Sequence, residues 1–145
     1  MEYIPIIKLR QEVIREAPIK CKRLSSVTSV VDYAQELIGD CDRETVIVFG
    51  LSTKSDINFI STVSVGSLNS SIVHPREIFK ACIISNCARL IIAHNHPSGD
   101  TDPSNADFSF TNRIVDAGEL IGIEIVDHVI VSPTEYYSFA EEGQI

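Results

Sequence analysis

His94-Asn95-His96-Pro97-Ser98-Gly99-Asp100-Thr101-Asp102-Pro103-Ser104-Asn105-Ala106-Asp107 stands between an apolar run and an amphipathic stretch, and it reads as a metal site built into a strand-loop-helix unit. The residues before it, Ala88 to Ala93, include Leu90-Ile91-Ile92, a short apolar run that suits a buried strand. Successive side chains on a strand point to opposite faces, so His94 and His96 project the same way at its end. Pro97, Gly99 and Pro103 then break regular structure, and Ser104 opens a helix whose third residue is Asp107. That carboxylate is able to return to the two imidazoles as a third ligand. Two nitrogens and one oxygen suit one zinc ion per chain, and three protein ligands leave a fourth position for water, as in a catalytic site. A plainer reading stands beside this one: a surface loop with two solvated histidines, in which Ser104-x-x-Asp107 is only a capping box.

The rest of the chain bounds what such a site can belong to. A length of 145 residues suits a single core, and 44% hydrophobic against 22% charged residues is an ordinary globular balance. A net charge of -8 repels phosphate backbones on average, so there is no strong nucleic-acid signal. Lys20, Lys22 and Arg23 form the one dense basic cluster, and a solvated face explains it. No apolar run approaches the roughly 20 residues of a membrane span, and the N-terminus lacks a signal-type core, so no membrane and a cytoplasmic location are expected. Cys21, Cys41, Cys82 and Cys87 form no C-x-x-C pair and are expected as thiols, with Cys82 and Cys87 buried.

In chain order, Ile4, Ile6, Ile7, Leu9, Val13 and Ile14 partly alternate and predict an extended segment that adds to the sheet, ending by Pro18. An edge strand there would be able to pair with another copy, giving a homo-oligomer. Ser25 or Ser26 caps a helix through Val30, Tyr33, Ala34 and Leu37 that stops at Gly39. Glu44 begins a strand through Phe49, and Lys54-Ser55-Asp56 turns it into Ile57 to Val65. Gly66 to Ser71 is a polar loop leading to Ile72-Val73. His74 precedes Pro75 at the entry of a helix with Ile78, Phe79, Cys82 and Ile83 on its buried side, ending near Asn86. His74 is read as a helix-entry residue bonded to backbone rather than as a further ligand. The helix from Asn105 presents Phe110, Ile114 and Ile121 and ends at Gly122. Ile123 to Val126 and Val129 to Val131 form one or two strands, then Pro133-Thr134-Glu135 turns into Tyr136 to Phe139. Asp127 and His128, between these strands, read as a satisfied polar pair able to touch the site from outside. The whole is an α/β (α+β) domain, a mixed β-sheet with helices packed on its faces.

The pattern His-x-His, seven residues, Ser, two residues, Asp is met by His94, His96, Ser104 and Asp107 without a gap. It resembles the JAMM motif of JAB/MPN-type zinc metalloproteases. The extended form HNHPSGD…PSNAD, with GSLNSSIVHPREIFK upstream and GIEIVDHVIV downstream, is similar to the JAB domain of the bacterial RadC family. The resemblance covers residues 25 to 145 and leaves 1 to 24 as an N-terminal extended segment. It implies the cytidine deaminase-like JAB/MPN architecture, zinc on His94, His96 and Asp107, and cleavage of peptide or isopeptide bonds in a peptide or protein substrate. The family's acidic base stands at the start of the strand after the first helix, and Glu44 fits that place. Glu77, in the first turn of a helix, competes for the role, but the macrodipole alone explains an acid there. Ser104 would donate its hydroxyl to the oxyanion. Longer family members carry a helix-hairpin-helix region before the JAB domain, for which this chain has no room. A non-catalytic JAB scaffold, or a protein associated with DNA repair, is the alternative; its mark would be a missing ligand or base, and all five positions are filled.

Overall fold

A computed structural model describes residues 1–18, 20–66 and 73–145. The elements are α1 (Val27–Ile38), β1 (Glu44–Leu51), β2 (Ile57–Gly66), α2 (Pro75–Ile84), β3 (Arg89–Asn95), α3 (Asn105–Ile121), β4 (Glu124–Val131) and β5 (Tyr136–Ser138). The strands form one sheet in the order β2-β1-β3-β4-β5, antiparallel except for the parallel pair β3 and β4. This is the mixed sheet and α+β class expected from the sequence. The polar loop expected at Gly66 to Ser71 and its exit through Ile72 fall, beyond Gly66, outside the described residues.

The period of two in β1 and β3 decides how the layers form. Ile47, Phe49 and Leu51 of β1 and Ile91 and Ala93 of β3 face α1, where Val30, Val31, Tyr33, Ala34 and Ile38 cover them. Val46, Val48, Leu90 and Ile92 face the other way, against Ile78, Phe79 and Cys82 of α2 and Phe110 and Ile114 of α3. Both strands are apolar on both faces because each face carries a helix. His94 therefore lies on the α2/α3 face and Asn95 on the α1 face.

The helix boundaries follow their caps. Ser26 accepts from the Ser29 N–H at the start of α1, and the His74 ring accepts from the Arg76 N–H, with Pro75 opening α2. Gly122 ends α3 at φ 84, a left-handed conformation that suits glycine. Gly118, one turn earlier, is needed for space: a Cβ there would lie 2.5 Å from the Ile123 carbonyl oxygen and 3.2 Å from Ile125 Cγ1. Gly118→Ala should therefore push α3 off β4 and cost about 1–3 kcal/mol in urea unfolding. Unchanged stability would mean that the helix slides without resistance.

Two expectations are corrected. The first eighteen residues form no strand and are exposed throughout, with Ile4, Ile6 and Ile14 at 92%, 102% and 89%. Partial alternation gives a strand only where a sheet edge receives it. The contact with the β1–β2 hairpin is made instead by Lys22 to Leu24, with Leu24 N–H donating to the Ser55 carbonyl and Ile57 N–H to that of Lys22. Ile83 and Ile121, placed on buried faces, are 54% and 44% exposed; each lies at the end of its helix, past the last buried residue, Cys82 in α2 and Gly118 in α3. Of the one or two strands expected around Asp127 and His128, a single one forms, β4, and it contains both residues.

The four cysteines are free thiols, Cys82 and Cys87 buried as expected, and burial pushes the Cys82 thiol up to about 12. In the basic cluster, Lys20 pairs with Glu36 and Arg23 with Asp56, all at the surface or its margin.

Candidate metal centre

β3 delivers the two histidines. His94 is fully buried at its end, and His96, one step past the last strand residue, keeps the same direction and approaches Asp107. The turn after it fixes the ring: Gly99, at φ 87, folds the chain back so that the Asp100 carbonyl lies 2.7 Å from His96 Nδ1. A carbonyl only accepts, so the neutral ring carries its proton on Nδ1 and has its Nε2 lone pair available to a metal.

α3 delivers the carboxylate. The capping box is present, with Ser104 Oγ accepting from the Asp107 N–H at 3.1 Å and Asp107 Oδ2 accepting from the Ser104 N–H at 2.8 Å. It does not compete with the ligand role. The cap holds Asp107 in one rotamer, 97% out of solvent at its side chain, with Oδ1 3.3 Å from His94 Nε2 and Oδ2 3.2 Å from His96 Nε2. The two Nε2 atoms are 3.2 Å apart. Donors about 2.05 Å from a tetrahedral centre are separated by about 3.3 Å along each edge. The separation of the two imidazole nitrogens matches that edge, each of them has one Asp107 oxygen at a similar distance, and among the described residues these three are the group able to hold a metal ion, with one donor atom from each within 4.8 Å of the others.

Without an ion, protons do its work. Burial would raise the Asp107 carboxyl, but hydrogen bonds from His94 and His96, the His94 charge and the Ser104 N–H outweigh it and hold the acid far below the usual carboxylate range. The hydrogen bond to Asp107 lifts His96 above its ordinary value, against burial and with help from the Asp100 carbonyl and the Glu44 charge. The pocket thus favours positive charge.

Glu44 stands beside this cluster for a reason of register. Val46 pairs with His94 across β1 and β3, so two residues further out Glu44 lies opposite His96 on the same face. Its Oε1 is 4.0 Å from His96 Nε2, and its side chain is partly exposed. Asn95, pointing to the opposite face, ties down the strand that carries it. Its side chain accepts from the Thr45 N–H at 2.6 Å and donates to the carbonyls of Cys41 and Arg43 at 3.2 and 3.1 Å.

The other candidates lie apart from the triad. The His74 ring accepts from the Arg76 N–H at 3.1 Å, and Glu77 is engaged by Lys80 Nζ at 2.8 Å. Asp127 accepts from Ser138 Oγ and from the N–H groups of Ala140 and His128, a structural set of bonds. His128 does reach the site: its Nε2 is 2.7 Å from His94 Nδ1. Burial and the nearby His94 charge keep it well below the ordinary histidine value, so the ring is neutral. Thr111 and Asn95 were not singled out by sequence reasoning. For Thr111 the available signal was its place one turn after Asp107 on the same helix; for Asn95 there was none.

The description RadC-like JAB domain matches residues 24–144. The chain belongs to the RadC-like JAB domain family. Relatives agree: it is 38% identical to a UPF0758 protein of Chlorobium chlorochromatii over 99% of this chain and 64% of that one. A UPF0758 protein of Thermotoga maritima is 40% identical over 96% of this chain and 62% of its own length. One from Pelobacter propionicus is 45% identical over 83% and 53%. The chain thus spans between half and two thirds of these RadC-family relatives. A JAB domain with a triad able to hold a metal ion is consistent with a hydrolase. No helix among the described residues is long and apolar enough to cross a membrane.

Proposed function

We propose that this RadC-like JAB domain is a zinc-dependent hydrolase of amide bonds, acting on a peptide or protein substrate. The observation that carries the reading is the set of three residues, His94, His96 and Asp107, each offering one donor atom within 4.8 Å of the others, with a carboxylate beside them. His94, His96 and Asp107 would hold the ion, a borderline-soft centre suited to two imidazoles and one carboxylate. Bound there, zinc supplies Lewis acidity and brings a water to a pKa of about 7. Glu44, on the open side of the cluster, takes the proton of the attacking water and returns it to the leaving amine. Ser104 has its oxygen lone pair committed to the Asp107 N–H, which leaves its own proton for the developing oxyanion of the substrate.

Metal content tests this first, and pH gives it a direction. Zinc needs the His96 Nε2 lone pair, and His96 is lifted above its ordinary 6.5 in the metal-free protein. Protein purified without chelator should carry about one zinc per chain at neutral pH and release it as pH falls through the raised His96 value. In the metal-free protein His96 and Asp107 act in opposite senses. The His96 contribution is present below 6.5 and lost as pH rises through its folded value, while that of Asp107 is present above 3.8 and lost on acidification. Stabilisation by added zinc should therefore grow as pH rises through the raised His96 value, as measured by thermal melts. Chelator-free protein that neither carries nor takes up zinc would end the metallohydrolase reading and favour the scaffold.

A further inference from the structure

We propose that Thr111 and His128 are positioning residues for the metal, holding the His94 ring in the tautomer whose proton is on Nδ1 so that its Nε2 lone pair faces Asp107 and His96. The inference rests on the metal reading above and deepens it. Thr111 Oγ1 donates to the Asp107 carbonyl at 2.8 Å, the bond to the preceding turn that a helical threonine makes. A hydroxyl has one proton to give. At its 2.6 Å contact with His128 Nδ1 the same oxygen must therefore accept, and the proton there belongs to the ring.

The His128 ring is fully buried, where a second proton would place a charge away from water, so with Nδ1 protonated its Nε2 is an acceptor. The 2.7 Å contact with His94 Nδ1 is then made by the His94 proton. His94 is left with a bare Nε2 aimed at the metal position. Three short bonds in series thus connect the ring of one ligand to the backbone carbonyl of another. Were the hydroxyl turned to His128 Nδ1 instead, its bond to the Asp107 carbonyl would be lost, the two ring bonds would reverse and a proton on His94 Nε2 would occupy the place of the ion.

The surroundings keep the middle of this relay in place. The His128 ring is fully buried, stacked on Phe139 at 4.8 Å and 4°, with the Phe110 ring edge-on at 5.7 Å. A bulge aims it. Leu90 pairs with Ile125 but Ile91 pairs with Asp127, so Val126 is an extra residue in β4. An unbroken ladder would have set His128 opposite Ala93, on the α1 face; the bulge turns it to the face of His94.

Zinc affinity, measured by competition with a chromogenic chelator, tests the relay. Thr111→Val keeps the shape and removes the acceptor, and it should weaken zinc binding by about 10- to 100-fold, whereas Thr111→Ser should stay within about threefold of the wild type. Long-range 15N–1H spectra of the zinc-loaded wild type should place the His128 ring proton on Nδ1. Wild-type affinity in Thr111→Val, equal weakening by valine and serine, or a His128 proton on Nε2 would each overturn the relay while leaving the metal site standing. A wild-type chain that takes up no zinc would overturn the metal reading and the relay with it.

Discussion

His96→Ala is expected to leave purification without zinc and to lose all response to added metal. The wild type, binding zinc only when folded, should gain about 2.7 kcal/mol at a free concentration a hundredfold above Kd, which for a domain of this size raises Tm by about 5–10 °C. The variant keeps His94 and Asp107, but two donors at a fixed 3.3 Å do not close a tetrahedral site. It also leaves Asp107 with one imidazole where it had two. His74→Ala is the matched control. Its ring serves the Arg76 N–H at the start of α2, so removing it should cost a helix cap, about 1 kcal/mol, and leave zinc uptake intact. Equal zinc loss in both variants would mean that the metal is held nonspecifically by surface imidazoles.

The part of this centre readable from sequence is the part set by local periodicity. A strand repeats every two residues, so His94 and His96 had to share a face; a helix N-cap repeats a fixed geometry, so Ser104 brought Asp107 back toward the loop. Glu44 came from the motif resemblance, and its place opposite His96 depends on the antiparallel register of β1 with β3, which only pairing reveals. His128 shows the limit most clearly. Its face is decided by one extra residue in β4, and no pattern in Glu124 to Val131 announces that bulge. Asn95 was hidden for the complementary reason: lying between two histidines, it looked like a spacer, yet its side chain serves three backbone groups fifty residues away. The N-terminal apolar residues misled because alternation signals a face to bury without saying what lies against it, and residues 1–18 form no strand and are exposed throughout.

Glu44→Gln should separate binding from chemistry. Glutamine keeps the length and volume of the side chain at the start of β1, and Asn95 continues to hold the Thr45 N–H and the Arg43 carbonyl on either side of it. Nothing in the triad changes, so zinc content should match the wild type. Turnover of any amide the wild type cleaves should fall by about a hundred- to ten-thousandfold, because an amide side chain cannot take a proton from water and return it to an amine. The 4.0 Å between Glu44 and His96 Nε2 supports this division, being too long for a direct hydrogen bond to the ligand yet close enough to act on a molecule between them. If the variant lost its zinc, Glu44 would be a fourth ligand and the site structural. If it kept both zinc and turnover, the proton would be travelling through another group, and the base would have to be sought away from the start of β1.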